Sequence, residues 1–154
     1  MLNWYAVLKY IHVLSVVIWI GGLTGLCIAT WGVAKARDRG MLTTLVTQTN
    51  IYVQRVAGPA AGFVLLTGLT MVWLGRIGYG TFWVWFGYAG VLVQVVIGGF
   101  LVRKRAMELM TLISAPSGDD VAVADAARRL RNIQMTYLIL FAVVIAGMVI
   151  KPTP

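Results

Sequence analysis

The sequence predicts an all-α membrane protein, a four-transmembrane-helix bundle. Three observations predict it. Hydrophobic residues make up 60% of the 154 positions and charged residues 12%, against roughly 45–50% and about 25% in soluble domains. Four apolar stretches are long enough, or nearly so, to cross a bilayer. The basic residues then alternate between the connections. The mean hydropathy of +0.85 is more than a soluble fold of this size can bury, and it also excludes disorder, which needs low hydrophobicity and high charge.

A spanning helix needs about 20 mostly apolar residues. The four stretches are 11–34, 56–75, 82–102 and 133–150, within a single transmembrane domain over 1–154. The first is too long for a signal peptide. Basic residues follow it where a small-residue cleavage site would stand. The last ends at Lys151-Pro152.

The first connection carries Lys35, Arg37, Arg39 and Arg55. The third carries Arg103, Lys104, Arg105, Arg128, Arg129 and Arg131. The opposite side has only Lys9, Arg76 and Lys151 of the 13 basic residues. The positive-inside rule therefore sets both termini outside and the two longer connections in the cytoplasm. The net charge of +8 follows from this arrangement, and no nucleic-acid face is needed to explain it. The expected location is a bacterial cytoplasmic membrane. Trp4, Tyr5, Tyr10, Trp73, Tyr79, Phe82, Trp83 and Trp85 fall near the outer interface, the depth that indole and phenol rings favour.

Within the first connection, Gly40 reads as the end of the first helix. Residues 41–55 hold no breaker and read as an extension of the second helix. Gly58-Pro59 then predicts a kink, because proline lacks the backbone donor and clashes with the preceding turn. The connection from Arg76 to Thr81 makes the second and third helices a hairpin. Ala115-Pro116-Ser117-Gly118 reads as a turn, and Asp119-Asp120 as an N-cap with a first-turn acid. A short amphipathic helix from about Asp120 to Arg131 is predicted to lie among the inner headgroups as an electrostatic anchor. Every span carries small residues: Gly21, Gly25 and Ala29 in the first, Gly58 and Gly62 in the second, Gly87, Gly98 and Gly99 in the third, Ala142 and Ala146 in the fourth. Such faces permit close helix approach, within one bundle, in a homo-oligomer or against a larger membrane complex.

Polar groups within the hydrocarbon are costly and mark candidate sites. Here they are His12, Gln94 and Gln134, with Lys9, Arg55 and Arg76 at the edges. Tyr5, Lys9, His12 and Trp19 share one helical stripe. His12 is either an interfacial histidine bonded to water or a neighbouring helix, or an axial ligand for haem iron through its free nitrogen. Lys9, Arg76 and Lys151 lie at the level where they could pair with haem propionates. Gln94 and Gln134 read as interhelical hydrogen-bonding groups. No carboxylate falls inside a span, which argues against a proton-coupled transporter, and no base–nucleophile pair points to hydrolysis. Met107 and Met110 offer too few soft ligands for Cu(I). Cys27 is more than about 20 Å along the helix from His12, too far to share an ion with it.

Leu8-Lys9-Tyr10-Ile11-His12, followed by Trp19-Ile20-Gly21-Gly22, resembles the first-helix pattern of small bacterial four-helix membrane proteins. These are the HemJ-type protoporphyrinogen oxidases, the membrane part of CopD-like proteins, and related uncharacterised proteins. Pro59 and Thr67-Gly68-Leu69 are similar as well. The resemblance implies b-type haem on His12, with Lys9 contacting substrate or propionate. The stretch Leu23 to Trp31 has neither the proline nor the arginine of the HemJ pattern. The expectation is therefore a haem-b redox or electron-transfer module, with His12, Lys9, Trp19 and Arg76 as its cofactor-binding residues. The rival expectation is a non-catalytic accessory subunit of a larger membrane complex.

Overall fold

Four long helices account for nearly all of the computed structural model, which describes residues 3–36, 38–78, 80–115 and 119–151. They are α1 (Trp4–Ala36), α2 (Arg39–Leu74), α3 (Phe82–Ser114) and α4 (Asp120–Ile150). All four are long and apolar enough to cross a membrane, and the described residues contain no strand. Each has 31 to 36 residues, or about 46–54 Å at 1.5 Å per residue. The hydrocarbon layer is about 30 Å thick, so every helix overshoots it.

The closest packing is α1 against α2 and α3 against α4. Asn3, Lys151 and the α2–α3 connection lie at one end of the bundle, here called the terminal end. Lys151 caps α4 there, with its ammonium 5.1 Å from the Trp83 ring centre. The other two connections lie together at the basic end, where Arg39 and Asp120 form an ion pair between them. Trp4, Tyr10, Trp73, Phe82 and Trp85 are exposed at the terminal end, as an interfacial belt requires. Tyr79 lies outside the described residues.

Local chemistry sets the boundaries. α1 ends at Ala36, not at Gly40, because Asp38 starts α2 by accepting a hydrogen bond from the Met41 amide. An N-cap carboxylate satisfies an amide that has no partner within the helix, and Gly40 is left inside the first turn of α2. Asp119 caps α4 in the same way through the Val121 amide. The turn read at residues 115–118 lies mostly outside the described residues, at 116–118.

The separate headgroup helix from Asp120 to Arg131 is corrected by the structure. That segment is the first third of α4, which runs unbroken to Ile150. No glycine or proline interrupts it before the span. Its apolar face meets helices, not lipid: Val123 and Leu130 pack with Leu42, Val46 and Leu109 in a second core at the basic end.

The break read at Gly58-Pro59 takes the form of a π-turn, Val53–Ala57, directly before it. In α register Pro59 would have to donate to the Arg55 carbonyl, and it has no N–H to give. The chain instead closes a wider ring, with the Gly58 amide on the Val53 carbonyl. A second π-turn, Ile97–Val102, contains Gly98 and Gly99. Such turns gather at functional sites.

Candidate functional site in the bundle interior

His12 stands two turns into α1, on the face that continues inward as Ser15, Trp19, Leu23 and Cys27, all buried. Its ring Nδ1 lies 2.9 Å from the hydroxyl of Thr67 on α2. The Thr67 hydroxyl is 2.5 Å from the Phe63 carbonyl, which can only accept. With the hydroxyl proton on Phe63, Thr67 accepts from His12, the neutral ring is the Nδ1–H tautomer, and Nε2 carries the lone pair that a ligand could use. Gly68 lies against the ring, where a Cβ would stand 3.5 Å from His12 Cε1, an ordinary van der Waals contact.

The imidazole borders a cavity of about 350 Å³ in the terminal half, walled by all four helices. Its lining is apolar except at His12, Tyr88 and the indole of Trp83, and it includes the Met148 thioether. The cavity opens between α1 and α4, where Val13, Val17, Ile145 and Val149 reach the surface.

The four residues read as cofactor-binding are not brought together. Only His12 lines this cavity. Lys9 and Arg76 are exposed at the terminal end, Arg76 with a positive φ of 50° just past the end of α2. Trp19 is buried two turns deeper, edge-on to Phe141 at 5.0 Å between ring centres, and lines a different cavity. Sequence reasoning missed Met148 and Tyr88. Nothing in an evenly apolar helix marks one of seven methionines as inward-facing. Thr67 did carry a signal, as part of Thr67-Gly68-Leu69, but its pairing with His12 spans 55 positions and has no local signature.

The two glutamines do link helices. Gln134 accepts from the Trp31 indole at 2.8 Å, joining α4 to α1. Gln94 donates its Nε2 to the Tyr137 carbonyl at 3.2 Å, joining α3 to α4. Small residues fall into two groups. A Cβ on Gly22, Gly87, Gly90 or Gly147 would overlap Tyr52, Met148, Val144 or Phe86, so those glycines permit the packing. Gly21 and Gly25 have nothing within 4 Å of such a Cβ, so their side of α1 takes no part in it.

The chain belongs to the family described as "Predicted integral membrane protein (DUF2269)", whose profile matches residues 6–152. No curated protein matches the chain, and no solved structure does.

Proposed function

We propose that the protein is an integral membrane haem-b-binding module, serving redox or electron transfer, with His12 as the iron ligand near the outer side. The observation that carries this reading is the 2.9 Å hydrogen bond between His12 Nδ1 and Thr67. An imidazole whose far nitrogen is tied to an acceptor presents its other nitrogen as a ligand, in the arrangement by which protein groups orient metal-binding histidines. The surroundings share the group's apolar character: the walls are apolar, and a thioether of the type that ligates iron beside histidine in some cytochromes lines the same space. Met148, which lines the same cavity as His12, would be the chain's own candidate for a second iron ligand. Lys9, Arg76 and Lys151 supply cations at the terminal end for propionates. Bound there, haem would supply one-electron chemistry, while the protein sets ligand identity and excludes water.

The test is a reduced-minus-oxidised visible spectrum of the protein purified in mild detergent. A b-type signal at about one haem per chain is expected, and His12→Ala should abolish it while membrane insertion persists. A colourless preparation from haem-replete cells would overturn the reading. A second reading, an accessory subunit of a larger bacterial membrane complex, is favoured by the uncovered face of α1 at Gly21, Gly25 and Gly32. It predicts co-purification with a partner at fixed stoichiometry and little effect of His12→Ala.

A further inference from the structure

A second interior space lies deeper, beside the two π-turns. It holds about 220 Å³ and is bordered by Trp19, Cys27, Val53, Gln94, Gly98 and Tyr137, among others. Three observations set its chemistry.

The first is an unpaired acceptor. Gln94 is 1% exposed, and its Oε1 has no hydrogen-bond partner. The amide cannot be turned over to solve this, because Nε2 must face the Tyr137 carbonyl to which it donates. A buried polar atom left unpaired carries a desolvation cost, and a donor brought into this space would remove it.

The second is size. An apolar cavity of about 150 Å³ accepts benzene. A space of about 220 Å³ is therefore large enough for one substituted six-membered ring.

The third is access. No Cα of one π-turn comes within 8 Å of the other, although α2 and α3 do meet near their hairpin and again at the basic end. Gly58, Val95 and Gly99 border the cavity and are exposed, so it reaches the side of the bundle between these turns. A smaller space of about 100 Å³ continues from the same wall residues toward Asn50, Gln54 and Arg103. Arg55 and Arg103 place this level near the edge of the hydrocarbon, where an amphiphile's head resides.

We infer that this cavity binds the one-ring phenolic head of a membrane lipid of the quinol or alkylphenol class, with its hydroxyl donating to Gln94 Oε1 and its tail leaving between α2 and α3. Apolar contact supplies affinity, and the single buried acceptor selects for a donor. The site is separate from His12 and does not depend on haem.

The experiment is calorimetric titration of the full chain in nanodiscs with 4-decylphenol and with its methyl ether, 4-decylanisole. The two probes share ring and tail, but only the phenol can donate. Saturable binding of one phenol per chain is expected, about tenfold or more tighter than the ether. Gln94→Leu should lower the phenol to the level of the ether. Gly99→Leu should weaken both probes by narrowing the opening, and a Cβ at Gly99 meets nothing within 4 Å. His12→Ala should leave both titrations unchanged, which separates this site from the haem reading. Equal binding of phenol and ether to the unaltered protein would overturn the proposal and leave the cavity as space for lipid chains. A phenol preference that survives in Gln94→Leu would overturn it as well.

Discussion

The two ends of the bundle are built on opposite patterns. In the membrane-spanning part the outward faces are apolar, with Ile18, Phe63, Leu66 and Leu92 exposed, while Ser15, Thr67, Gln94 and Gln134 are turned inward and buried. At the basic end the order reverses. Leu42, Val46, Leu109, Val123 and Leu130 form the inside, and the outside carries Arg105–Glu108 and Arg129–Asp125 pairs. The cause is the solvent. Lipid is as apolar as leucine, so helices there gain little by hiding leucine and associate through close backbone approach and interhelical hydrogen bonds. Water rewards burial of leucine directly. One set of four continuous helices therefore changes its stabilising chemistry partway along.

The comparison is broken most forcefully at Leu109, which is 0% exposed. Leu109→Ala should cost about 2–5 kcal/mol, read as a lowered midpoint of chemical or thermal denaturation in detergent. The loss should fall first on hydrogen-exchange protection at 39–52, 103–114 and 120–130, with the spans holding longer. Uniform loss along all four helices would mean that the two cores unfold as one unit.

The next effect belongs to the terminal half. Thr67→Val removes the hydroxyl that hydrogen-bonds His12 Nδ1 but keeps the shape. If His12 ligates iron, loss of this outer partner should lower haem affinity about 10- to 100-fold, measured by haem titration, with helix content unchanged. An unaltered affinity would show that the tautomer is not what prepares the ring.

Gln134→Leu tests the interhelical bond to Trp31. Such bonds in membranes average about 0.6 kcal/mol and reach about 1.7. A loss in that range is expected in unfolding titrations, with a red-shifted or quenched Trp31 contribution to the fluorescence. A loss as large as that of Leu109→Ala would erase the distinction between the two halves.

How much of this was readable from residues follows the same divide. The four helices, the hairpin at 76–81 and the Asp119 cap are local features, and local chemistry announces them. Asp38 was equally local; the glycine two residues later drew the boundary instead. The fate of 120–131 was not local. An amphipathic stretch reads alike whether its apolar face meets lipid or three other helices, and only α2 and α3 decide. Within the spans the difficulty deepens, because apolar residues surround each helix and erase the periodicity that reveals an inward face. His12 stood out by its cost in the hydrocarbon. Thr67, Met148 and the unpaired oxygen of Gln94 acquired meaning only when distant helices met, as did the distinction between Gly90, pressed on Val144, and Gly21, pressed on nothing.

The smallest effect is expected at the ion pair that ties the two basic connections together. Arg39 and Asp120 sit at the first turns of α2 and α4, and their side chains are 34% and 73% exposed. An exposed pair contributes about 0–1 kcal/mol, since water and salt weaken the attraction and two flexible side chains must be held still. Asp120→Asn should therefore lower stability by no more than about that amount, and 1 M salt should remove most of the difference, because the screening length falls to about 3 Å. Gln134→Leu, being inside the bundle, should not respond to salt. Salt sensitivity thus sorts the two halves independently of size of effect: water reaches the contacts that join the connections, and does not reach those that join the spans. If both variants responded to salt alike, the glutamine–indole contact would have to be open to water, and the boundary between the two chemistries would lie nearer the terminal end than Gln134.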